Sequence, residues 1–333
     1  MTADDLFRSY LIAYLFWLGV GAGSLGALLL QDLTGGKWGR AAAPILEAGS
    51  LTLPWMALLF VPVVIGAGRI YPWWAHAADA RYNPMYLNRT FFVIRAAVYF
   101  LLWGGAAVGL ERLGEARRAG GGAWWAGPAL VAHVLAITFA SIDWAASIDA
   151  PWGSTIYGFL WICGFGVAAF CLCILASAWR AGSRPMPAQY SHDLGNLLLA
   201  FVMLWAYMSF VQWLVIWSGD LPDEIRWYLA RGGRGWEWTA AALAALGFFA
   251  PFYALLMRGV KRSLPRLAAV AGALAALRLV DVVWLVAPSF GVGAFRPRVL
   301  HLVVFLAVGG VWLSLFARKF RAKVFEPGRF YGA

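Results

Sequence analysis

Nine apolar runs constrain this chain more than any other feature: residues 10–30, 49–67, 91–110, 125–143, 155–178, 194–217, 236–257, 264–288 and 299–317. As helices rising ~1.5 Å per residue, they are long enough to cross a hydrocarbon layer of ~30 Å. No water reaches a backbone in that layer, so each run must satisfy its own amides, and a helix does this within one segment. The stretches between runs are short and rich in Gly, Pro, Arg and Asp, as solvated connections require. Composition removes the alternative of a large soluble core. Hydrophobic residues make up 62% of the chain and charged residues 13%, with a mean hydropathy of +0.70, whereas soluble domains carry about 25% charged residues. The predicted fold is all-α: one polytopic membrane domain over residues 1–333, with a basic tail at 318–333.

The 27 Lys and Arg residues, which leave a net charge of +11, set the orientation. Loops on the side of the N-terminus hold nine of them and the opposite loops sixteen. By the positive-inside rule the second side is cytoplasmic, so the N-terminus lies outside and the C-terminus inside. Anionic headgroups and topology account for the basic charge, and nucleic-acid binding is not expected. The 20 Trp residues suit interfacial belts. Residues 1–6 contain Asp4 and Asp5 and no basic stretch, so they do not read as a cleavable signal.

Ionisable groups within the runs are costly in lipid, and each is a candidate functional residue. Arg95 lies near the start of the third run, His133 in the middle of the fourth and Asp143 at its outer end. Arg278 and Asp281 lie inside the eighth, three apart and so on one helix face, either as a structural pair or on a proton path. Gln212 falls in the sixth run, with Glu47 and His301 at run ends. His133 and Asp143 are ten residues apart, about 15 Å along a helix, too far to touch but placed as successive stations of one route. His133 reads equally as an interhelical hydrogen-bonding residue. Asp149, in the one loop without Lys or Arg, reads as a solvated interfacial turn residue. With Asp220, Asp223 and Glu224 it gives the outer face a negative character.

Cys163, Cys171 and Cys173 share one run without metal-ligand spacing and read as small core residues. Of His76, His133, His192 and His301 only His133 is deep, with His76 and His192 in loops, so no haem or metal is expected on this chain. The glycines of Gly19-Val-Gly-Ala-Gly23 and Gly26 predict close helix packing. Broken helices in matching positions are not evident, which argues against a transporter's dedicated substrate site.

Several blocks resemble the second, smaller quinone-binding-type membrane subunit of alternative complex III, a relative of the polysulfide-reductase-type (NrfD-like) anchors. They are Phe7-Arg-Ser-Tyr-Leu-Ile-Ala-Tyr-Leu-Phe-Trp-Leu-Gly-Val-Gly21, Leu33-Thr-Gly-Gly-Lys-Trp-Gly39, Phe139-Ala-Ser-Ile-Asp-Trp144, Ser154-Thr-Ile-Tyr-Gly158, the segment 192–207, Trp217-Ser-Gly-Asp-Leu-Pro-Asp-Glu-Ile225 and Leu277-Arg-Leu-Val-Asp281. The resemblance implies paired four-helix bundles plus additional helices, with one N-terminal helix fewer than typical relatives. It implies residence in the bacterial inner membrane and partners there: a paralogous quinol-binding membrane subunit, a peripheral iron–sulfur/molybdopterin-like subunit, and multihaem and monohaem cytochromes c. Haems and iron–sulfur clusters then belong to the partners, and quinone or menaquinone is the remaining small-molecule candidate.

The paralogous subunit lines its quinol pocket with a His and an Asp on the helix that corresponds to residues 125–143. Carried over, this makes His133 and Asp143 the quinone-binding candidates. The proton-pathway candidates are His133, Asp143, Arg278, Asp281, Asp149 and Glu47, with no catalytic residue assigned. The expected function is support of assembly and a proton half-channel coupled to quinol oxidation in the paralogue. The alternatives are a stand-alone secondary transporter and a purely structural anchor.

Overall fold

The structure, a computed structural model, describes residues 2–36, 38–75, 79, 81–114, 123–150, 152–180, 187–233, 235–291 and 299–324. Among the described residues there is no strand, and nine helices are long and apolar enough to cross a membrane. They are α1 (Ala3–Thr34), α2 (Ala42–Ile65), α3 (Arg89–Arg112), α4 (Trp124–Asp149), α5 (Tyr157–Arg180), α6 (Ala188–Gly219), α7 (Trp236–Leu256), α8 (Leu264–Phe290) and α9 (Val299–Lys323). The chain is thus an all-α protein of membrane-spanning architecture, as expected.

Local chemistry sets the ends. Thr2 and Asp5 form a reciprocal capping box at the start of α1, and Gly35, at φ 69°, ends it. Asn88 caps α3 by accepting from the Phe91 amide at 2.8 Å.

Two spans depart from the expectation of unbroken helices. The second begins at Trp38, well before residue 49, and is a succession of pieces, Trp38–Ser50, Leu53–Leu59 and Val61–Ile65. Pro54 and Pro62 lie in the first turns of the later pieces, where a missing N–H costs nothing but the preceding helix cannot continue. In α7, the residues Leu243–Phe249 form a π-helix between α-helical ends. Pro251 follows it, and its ring crowds the carbonyl of Gly247 in a regular α-helix, a conflict that the wider turn relieves.

Helix contacts close into two rings. Helices α1 to α4 pack in order, α4 returning to α1, and α5 to α8 repeat the arrangement. The rings join along α1 and α5, and α9 lies against α1 and α2. This is a pair of four-helix bundles with a ninth helix added. The joint is close because Gly23 rests on the Phe165 backbone and Gly19 on its ring, with no room for a methyl group at either. Each ring's last helix ends in a 3-10 turn, Ala146–Asp149 and Ala287–Phe290, and the two turns touch.

Alternate connections gather at opposite ends. At the N-terminal end Arg69 pairs with Asp4 at 2.9 Å, and the Trp152 indole donates to the Glu224 carbonyl at 3.2 Å. At the other end Lys323 reaches Glu47 at 2.9 Å and Glu111 at 3.6 Å. The regular helix of α9 runs on to Val324, so Lys319 and Lys323 belong to a packed helix and not to a tail. Residues 325–333 lie outside the described residues.

Candidate functional site

In the first bundle the charge chemistry centres on Asp143, one residue before the regular part of α4 ends, and fully buried. Arg95 of α3 donates to both of its carboxylate oxygens, each at 2.8 Å, and the Tyr99 hydroxyl donates a third bond at 2.8 Å. Arg95 and Tyr99 are four apart, one turn along the same face. Arg95 also donates to the Tyr86 carbonyl at 2.9 Å and lies over the Tyr86 ring at 4.0 Å. This bidentate pair is complete without a ligand.

His133 is ten residues away and deep, at 5% exposure, and its Nδ1 has no hydrogen-bond partner. It faces a cleft of about 290 Å³ between α1, α3 and α4, walled by Trp103, Trp125 and small residues such as Gly105 and Ala129. Asp143 does not line this cleft. The two quinone-binding candidates therefore share a helix but not a cavity.

The second bundle holds the larger space, about 820 Å³, enclosed by α5 to α8 and a short helix, Pro222–Leu229, at the N-terminal end. Asp281 of α8 lies at its wall, 3% exposed. Its carboxylate contacts Arg278, one turn earlier, and accepts from the Trp205 indole of α6 at 3.2 Å. The Arg278 guanidinium lies on Gly164 of α5, and its Nη2 has no hydrogen-bond partner. The pair that the three-residue spacing predicts is present.

Further polar groups face the same space. The Gln212 carbonyl accepts from the Ser154 hydroxyl at 2.7 Å, while its amide nitrogen, buried, has no partner. The Tyr157 hydroxyl is likewise buried, beside the Trp161 indole. Arg231 is 2% exposed and lies over the Trp227 ring at 3.3 Å. Its nitrogens donate to the carbonyls of Trp227, Trp284 and Leu285 at 2.7–3.2 Å and to the Ser289 hydroxyl at 3.0 Å. Burial pushes its pKa down, to about 9, which still leaves the group cationic at neutral pH.

The other sequence candidates are structural ties. Asp149 is no freely solvated turn residue: Arg226 pairs with it at 2.5 Å and binds its carbonyl at 3.3 Å, joining two connections at the N-terminal end. The loop without a basic residue thus borrows one, and Arg95 neutralises Asp143, while Asp220 and Asp223 remain exposed. Glu47 is held by Lys323, His301 touches Ser9, and His192 lies in the second turn of α6, not in a loop. His76 lies outside the described residues. The three cysteines are buried and unbridged, and among the described residues no cluster of His, Cys, Asp or Glu is placed to hold a metal.

The pathway candidates are split by α5. Its Gly158 packs on Thr138 of α4, whereas its Gly164 packs on Arg278 of α8. His133 and Asp143 are thereby assigned to one bundle, Arg278 and Asp281 to the other. Tyr99, Trp205, Tyr157 and Arg231 were missed in the sequence, although the four-residue spacings of Arg95 to Tyr99 and Trp227 to Arg231 are visible there. No family model matches the chain, and no curated protein matches it.

Proposed function

We propose that this chain is an integral membrane subunit of a quinol:electron-acceptor oxidoreductase of the alternative complex III type. It supports assembly with a paralogous quinol-oxidising subunit, an iron–sulfur/molybdopterin-like peripheral subunit and cytochromes c, and its second bundle carries a proton half-channel. The observation that carries this reading is the Arg278–Asp281 contact, buried in an apolar chain and bordering a cavity whose wall includes groups of the N-terminal end. While the guanidinium stays on Asp281, the pair is neutral and cheap to bury. A shift that moves it away leaves a carboxylate whose charge only a proton can neutralise in that setting. Such a shift is driven by the redox state of a partner if the partner prefers one arrangement over the other.

Asp281→Asn is expected to lower the protons moved per electron while the complex still assembles. Unchanged stoichiometry removes the half-channel. On blue-native gels of detergent extracts, the chain is expected to co-migrate with covalently haem-stained cytochrome. The breaks in α2 and α7 fall at different positions of the two bundles, so they give a stand-alone transporter no support. An isolated species near the chain's own 36.4 kDa would overturn membership of the complex.

A further inference from the structure

At the end away from the N-terminus, the connection from α7 to α8 concentrates positive charge. Arg258, Lys261, Arg262 and Arg266 fall within nine residues, and no Asp or Glu occurs in residues 238–280. The fold brings the three arginines to one place. The Arg262 amide donates to the Arg258 carbonyl at 3.0 Å, so the two side chains stand one turn apart on one face. Arg266, in the first turn of α8, reaches back until its Nη1 lies 3.9 Å from where a Gly259 side-chain carbon would sit. All three are exposed, and among the described residues no carboxylate pairs with any of them.

Lys261 adds to this field and does not cancel it. It is 7% exposed, and its amine donates to the neutral Asn196 carbonyl at 2.7 Å. The N-terminus of α8 contributes the positive end of its dipole at the same place. Like charges held together repel, and an anion bound between them removes that repulsion. Guanidinium groups match phosphate oxygens with paired N–H bonds.

The helix beside the cluster selects the source of the anion. Phe249, Tyr253 and Leu256 are 51–60% exposed and spaced by four and three residues, an apolar stripe of α7 that leads through exposed Met257 to Arg258. A lipid can lay an acyl chain on that stripe while its phosphodiester meets the arginines. A free phosphate uses only the arginines, and a zwitterionic headgroup brings an ammonium group that the cluster repels.

We propose that the α7–α8 connection is a binding site for an anionic phospholipid, its phosphodiester held by Arg258, Arg262 and Arg266 and one chain covering Phe249, Tyr253 and Leu256. The site needs no partner subunit, so it stands or falls apart from membership of a complex.

The test uses the purified full chain in phosphatidylcholine nanodiscs doped with phosphatidylglycerol that carries a diazirine in one acyl chain, the crosslinks being mapped by mass spectrometry. Crosslinks are expected on residues 249–257, competed by unlabelled phosphatidylglycerol but not by inorganic phosphate, in a bilayer where phosphatidylcholine is already in excess. Arg258→Gln/Arg262→Gln/Arg266→Gln should weaken them about a hundredfold, the summed effect of three surface cations. Arg112→Gln/Arg318→Gln/Arg321→Gln removes the same charge from exposed positions at the same end and should leave them unchanged. Equal losses in the two variants, crosslinks spread evenly over the lipid-facing helices, or displacement by inorganic phosphate would each overturn the proposal.

Discussion

Asp143 and Asp281 carry their counter-charges in different geometries, and the difference has consequences for each. Asp143 is bonded by Arg95 and Tyr99 of a neighbouring helix, so the contact fixes α3 against α4. Asp281 is paired within its own helix, where the contact can open without parting two helices. Arg95→Met leaves a fully buried carboxylate without a cation and is expected to cost about 3–5 kcal/mol, whereas Arg95→Met/Asp143→Leu should regain most of that. A double-mutant cycle on thermal unfolding of the purified chain checks this, and additive losses would dismiss the pairing. The Arg278–Asp281 pair was legible in the sequence because a three-residue spacing needs no tertiary information. Arg95 and Asp143 stood there as isolated charges, 48 residues apart, and only the packing of α3 on α4 unites them. Arg231 counted as an outer-loop cation, since nothing local shows that the carbonyls at the end of α8 close over it.

Among the helices, α7 shapes the cavity through its π segment. That segment accommodates an extra residue in the helix, so deleting Ala245 is expected to close the wide turn, keep the facing of Trp236–Ala242 and bring the Pro251 ring against the carbonyl one turn before it, at a cost of about 3 kcal/mol. An unchanged melting temperature would remove Pro251 as the reason for the π segment. At the joint of the bundles, Gly23→Ala sets a methyl against the Phe165 carbonyl and is expected to cost about 1–3 kcal/mol, read as a lowered melting temperature. The nine spans and the glycine contact were legible, because length, hydropathy and small-residue spacing are local. The breaks were not. Proline is tolerated in membrane helices, so Pro54, Pro62 and Pro251 in apolar runs do not announce whether neighbours re-satisfy the backbone.

For the whole molecule, alternate connections lie at opposite ends, which fixes relative but not absolute orientation. The native cysteines are buried, so introduced ones report cleanly. An impermeant maleimide is expected to label Asp223→Cys in intact cells and Leu113→Cys only after permeabilisation; the reverse pattern would invert the orientation read from loop charges. The two-ring arrangement was expected through the resemblance alone, because equivalent helices share a position and not a sequence pattern. Trp17 of α1 stacks on Phe305 and Trp312 of α9 and donates to the Phe305 carbonyl at 3.2 Å. Those partners are separated by 288 residues of synthesis. The earliest of these helices to leave the ribosome thus keeps an unfilled aromatic slot until α9 is inserted. Translation products that stop before residue 299 carry that slot open to lipid, a mark by which membrane quality control can distinguish an unfinished protein from a mature one.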